Sequence, residues 1–108
     1  MPAFEKLFNE VKDTIPHLAE TELKEFADEA GEIMRDYLEK AKADLRTYSL
    51  LLAAGKISET EFKSSVRGKL QVGEMRLLEI KGLGEAAVDG FVTGLINTFI
   101  DGAIKILI

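Results

Sequence analysis

From Glu85 to Ile108 the residues fall into four rows at a spacing of four, and this pattern constrains the fold more than any other feature of the chain. Glu85, Asp89, Thr93, Asn97, Asp101 and Lys105 are polar. Ala86, Gly90, Gly94, Thr98 and Gly102 are small; Ala87, Phe91, Leu95, Phe99, Ala103 and Leu107 are mostly bulky; Val88, Val92, Ile96, Ile100, Ile104 and Ile108 are all β-branched. On a helix of 3.6 residues per turn each row advances about 40° per repeat, so five repeats carry the polar row about 200° around the axis. No single flat partner covers an apolar stripe that winds so far. Neighbours crossing at an angle, or several helices, can.

Magnitude decides whether such a helix can stand alone. Eleven large apolar side chains between Val88 and Ile108 would contribute at most about 16 to 33 kcal/mol if fully buried. A domain's whole stability is about 5 to 15 kcal/mol. The segment must therefore be core, interface or membrane. The small row permits close helix contact, so Gly90, Phe91, Gly94, Leu95, Phe99 and Ile100 are the candidate interaction residues, and self-association into a homo-oligomer is the expectation. A heterologous protein partner is the second partner class expected. The alternative is entry into lipid, for which Asp101 and the flanking polar groups bring the insertion balance close to zero.

The rest of the sequence predicts an all-α, elongated helical bundle forming a single domain, residues 1–108. Prolines occur only at Pro2 and Pro16, and strand-type alternation is absent through most of the chain. Phe4, Leu7, Phe8 and Val11 predict a short amphipathic helix over 2–13, ended before Pro16. The recurrence of Leu23, Phe26, Ala30, Met34, Tyr37 and Ala41, continuing to Leu52, predicts a second helix over 21–54. Such a helix is about 51 Å long, whereas a spherical domain of this size is about 34 Å across. Either the bundle is elongated or another subunit covers the excess. Acidic residues crowd the start of this helix and Lys40, Lys42 and Arg46 its end, an arrangement that matches the helix dipole.

The stretch from Ala53 to Phe62 predicts a tight helical hairpin. Gly55 can take the left-handed conformation that ends a helix, Ser58 and Glu61 have the spacing of a capping box, and Ile57 and Phe62 that of a hydrophobic staple. A third helix follows over 59–81, with Phe62, Val66, Leu70, Leu77 and Ile80 on one side and Val72 and Met75 widening the stripe. Gly68 and Gly73 weaken it unless they admit a close neighbour. Gly82-Leu83-Gly84 permits a reversal into the last helix, 84–108.

Composition and motif content bear on function. A net charge of -5 supplies little phosphate neutralisation, so nucleic acid is not an expected partner. With no cysteine, disulfide frameworks, thiolate zinc sites and cysteine nucleophiles are excluded. The first residues carry charges and too short an apolar run for a signal peptide, which makes the cytoplasm the default compartment. His17 is the only histidine, no Glu-x-x-His pair occurs, and Gly82-x-Gly84 lacks the context of a phosphate loop. Gly55, Ile57 and Glu61 imitate half of a calcium loop, but Leu50, Leu52 and Ala54 stand where oxygen ligands would be required. Glu25, Asp28, Glu29, Glu32 and Asp36 read as a solvated acidic face. No catalytic residue, cofactor or metal ligand is assigned, and the expected function is a non-enzymatic helical assembly or adaptor module.

Overall fold

A computed structural model describes residues 2–107 as an all-α bundle. Helix α1 spans Pro2–Leu23, α2 Ala27–Ala53, α3 Glu59–Leu77 and α4 Glu85–Leu107. Each helix runs antiparallel to the next, and α4 closes the ring against α1, the topology of an up-and-down four-helix bundle. Lys12 pairs with Glu39 across α1 and α2. Tyr37 donates to the Lys69 carbonyl across α2 and α3. The Phe62 and Phe99 rings lie 6.1 Å apart across α3 and α4.

The bundle measures 43 × 21 × 20 Å. Its long axis accommodates the 27 residues of α2, about 40 Å of helix. The elongation of the bundle accommodates the helix length.

The end of the first helix and the start of the second differ from the sequence expectation, for one physical reason. The first helix does not stop before Pro16 but continues to Leu23, and the second begins at Ala27 rather than residue 21. A proline inside a helix costs about 3 kcal/mol through the missing N–H and the clash with the preceding turn. Beyond it, however, the row Val11, Ile15, Ala19 and Leu23 continues at a spacing of four, and all of these residues are buried. Burial of large apolar side chains at about 1.5 to 3 kcal/mol each offsets the proline. The chain reverses instead at a 3₁₀ turn, Lys24–Phe26, with Lys24 in the left-handed region at φ 50°. No glycine or proline marks that turn.

The second hairpin follows its local signals. Gly55 has φ 71°, the Lys56 N–H donates to the Leu51 carbonyl, and Gly55 N–H to that of Leu52, which together form a Schellman ending. Ser58 Oγ accepts from Glu61 N–H at 3.1 Å, while Glu61 Oε1 accepts from Ser58 N–H at 3.0 Å, a complete capping box. Helix α3 ends at Leu77, four residues early, in a turn closed by Gly82 at φ 90°.

Helix α4 is core. From Asp89 to Ala103 its residues repeat the sequence exposed, half-buried, buried, buried, in register with the four rows. The small row faces α1: a methyl group at Gly94 would stand 3.3 Å from Leu18 Cδ2, and one at Gly102 2.6 Å from Leu7 Cδ1. Across the bundle Gly73 receives Tyr37 and Met34, with a methyl group there 2.9 Å from Tyr37 Cδ2, whereas Gly68 faces open space.

Three substitutions test this packing by chemical denaturation. Gly68→Ala should stabilise by about 1 kcal/mol, the helix-propensity gain without a clash. Gly73→Ala should destabilise by about 1 kcal/mol net, because overpacking of about 1 to 3 kcal/mol exceeds that gain. Lys24→Gly should stabilise by about 1 kcal/mol, since glycine alone adopts the left-handed conformation at no steric cost.

Candidate interaction surface

Phe91, Leu95 and Phe99 are fully buried in the chain's own core, and Ile100 nearly so. Gly90 and Gly94 are half-buried against Glu22 and Leu18 of α1. The six tail residues singled out in the sequence all lie on α4, and they are buried or half-buried within the same chain. What α4 presents outward is the polar row, Asp89, Thr93, Asn97, Asp101 and Lys105.

Besides Leu50 of α2, the exposed large apolar side chains among the described residues lie on α3 and at its C-cap, Leu78. Val72, Met75 and Leu78 are 50, 67 and 41% exposed, and with Ser64, Gly68 and Gln71 they make an uncharged outer face about four helical turns long. Val72 and Met75 therefore do not widen the core stripe. A helix offers a limited arc to its neighbours, and Phe62, Val66, Leu70, Gly73 and Leu77 already fill it.

Cations flank this face. Between Lys63 and Leu78 stand Lys63, Arg67, Lys69 and Arg76, against one carboxylate, Glu74. Lys69 pairs with Asp44, and Arg76 lies over the Tyr37 ring at 6.0 Å. Lys63 and Arg67 are exposed and take part in none of the ion pairs among the described residues.

A second surface feature is a groove of about 430 Å³ between α1 and α2. Ile15, Pro16, Ala27 and Gly31 supply its apolar lining, and Glu20, Asp28, Glu32 and Asp36 its carboxylates, with Arg35 as the single cation. It exists because small residues meet there. A methyl group at Gly31 would stand 3.7 Å from Ile15 Cγ2 and 3.8 Å from Ala19 Cβ. The acidic start of α2 thus borders a concavity instead of a flat solvated face.

The opposite half of the α1–α2 contact is ion-paired. Glu5 accepts from Lys42 at 3.0 Å and from Arg46, whose guanidinium stands 5.4 Å from the Phe4 ring centroid. The hydrogen bond from Lys42 holds the Glu5 carboxyl below its ordinary pKa, with Arg46 adding to the effect, and Lys12 does the same for Glu39. Glu74 is shifted the other way, upward, by burial and then by Asp89 and Glu85.

His17 is exposed on α1. Among the described residues no three His, Asp or Glu side chains gather closely enough to hold a metal ion. Comparison with protein-family models, characterised proteins and solved structures returns no match to this chain.

The carboxylate shifts give opposite pH signatures in urea midpoints measured from pH 7 to 3. The stabilisation from Glu5 and Glu39 is present above the ordinary carboxylate pKa and is lost as pH falls through their depressed native values. Glu5→Gln should therefore lower the midpoint at pH 7 and flatten its fall in acid. A carboxyl with a raised native pKa favours the unfolded chain once deprotonated, so Glu74→Gln should raise the midpoint at pH 7 and leave it unchanged at pH 3.

Proposed function

We propose that the chain is a non-enzymatic helical assembly module that self-associates through its outer surface while α4 stays within the bundle. The observation that carries this reading is the outer face of α3. In a sequence with 31% charged residues, a helix face uncharged from Ser64 to Leu78, with Met75 two-thirds exposed, is poorly suited to water alone. Methionine is also an adaptable contact residue, able to fit more than one partner shape. The buried tail supports the same conclusion by subtraction: the residues able to contribute most apolar area are already committed, so association has to use the remaining exposed patch.

The patch is small. A single helix face falls at the low end of specific interfaces, below about 1,200 Å² of total buried area, so the assembly is reversible rather than obligate.

A second reading rests on α4 itself, the one helix among the described residues long and apolar enough to cross a membrane, with a mean hydropathy of 1.3 over its most apolar window. On that reading α4 leaves α1 and α3 and enters lipid, a step that would uncover Leu7 and Leu18. Intact protein that remains in the soluble fraction on liposome flotation rules it out.

Sedimentation equilibrium tests the first reading. Weight-average mass should rise with protein concentration, with a dissociation constant on the order of 100 µM as befits a small interface. Met75→Glu should raise that constant at least about tenfold, because a charge would be placed in the contact. A mass that stays at that of one chain at millimolar concentration overturns the proposal.

A further inference from the structure

The two surface features described above have complementary chemistry. The α3 face is an apolar ridge, Val72, Met75 and Leu78, flanked by the exposed cations Lys63 and Arg67. The α1–α2 groove is a concavity with an apolar lining of Ile15, Pro16, Ala27 and Gly31, bordered by carboxylates. We propose that the groove is the docking site for the α3 ridge of a second copy of this chain.

Charge and shape favour this occupant over a two-fold pairing of α3 with α3. In an isologous contact α3 meets only α3, whose residues 63–78 carry one carboxylate, Glu74, against four cations, so Lys63 and Arg67 would find little opposite charge. Docked in the groove, the cations instead meet Glu20, Asp28, Glu32 and Asp36, opposed only by Arg35. At about 430 Å³ the groove is sized for a cluster of side chains rather than an ion. The ridge and the groove occupy different parts of one molecule, so the contact is heterologous. Each copy offers a free ridge and a free groove, and assembly proceeds to a ring or an open chain.

This inference rests on the self-association proposed above and assigns its surfaces. The test uses the full chain and two charge-reversed forms, Lys63→Glu/Arg67→Glu on the ridge and Glu32→Lys/Asp36→Lys at the groove. All four positions are exposed, and circular dichroism checks that each form keeps its helix content. In low salt each reversed form alone should lose association at least about tenfold relative to the unmodified chain. An equimolar mixture of the two should recover it, because the acidic ridge of one now meets the basic groove of the other, and added salt should weaken both the original and the recovered association. Unmodified protein that associates while the groove-reversed form associates equally well overturns the groove assignment and leaves self-association standing. Unmodified protein that remains a single chain overturns both.

Discussion

The close approach of α1 and α4 is the contact on which the rest of the bundle depends. The two helices lie at opposite ends of the sequence, so no short loop brings them together, and only the fit of their surfaces closes the ring. Glycines at 90, 94 and 102 make that fit possible by leaving room for Glu22, Leu18 and Leu7. Each glycine costs α4 about 1 kcal/mol of helix propensity relative to alanine, and burial of the large side chains along the seam repays it at about 1.5 to 3 kcal/mol apiece. With α1 and α4 joined, Phe91, Leu95 and Phe99 point into a closed core. Without the seam, the same side chains would form a greasy face in need of another partner.

Charge is distributed unevenly over this frame. At one end of the α1–α2 pair Glu5 and Glu39 are neutralised by Lys42, Arg46 and Lys12, which fixes the register of the two helices. At the other end the carboxylates of α2 line a groove and face solvent. Lys42 and Arg46 of α2 are thus engaged within the chain, whereas Asp28, Glu32 and Asp36 of its first half are in none of the ion pairs among the described residues. Helix α3 shows the converse, with a core-facing side packed against Tyr37 and Met34 through Gly73 and an outer side that is uncharged and flanked by cations.

Elements set by neighbouring residues were legible in the sequence. The α2–α3 hairpin could be read because its cap, box and left-handed glycine lie within a few residues of one another and satisfy each other's hydrogen bonds. The amphipathic core of α2 and the four rows of α4 were legible because helical periodicity is local. Pro16 and Lys24 were not. The cost of a proline is visible in sequence, but the burial of Ala19 and Leu23 beyond it depends on helices far along the chain. Lys24 takes a conformation its own side chain disfavours because the reversal between α1 and α2 falls there. The outer face of α3 was misread for a related reason: Val72 and Met75 look like core by composition, and only the positions of α2 and α4 show which arc of the helix remains uncovered.

The sequence by itself determined that the chain is helical, where its clearest hairpin lies, and that residues 85–108 need cover, because these follow from backbone hydrogen bonding, glycine conformations and the cost of hydrating apolar surface. Tertiary structure decided what supplies that cover. A row of glycines accepts any closely fitting helix, and spacing alone carries no record of whether that helix belongs to the same molecule. Here α1 meets the need, because it presents Leu7 and Leu18 at the places where α4 has no side chain. The surfaces left for other molecules are those that remained once this intramolecular fit was complete.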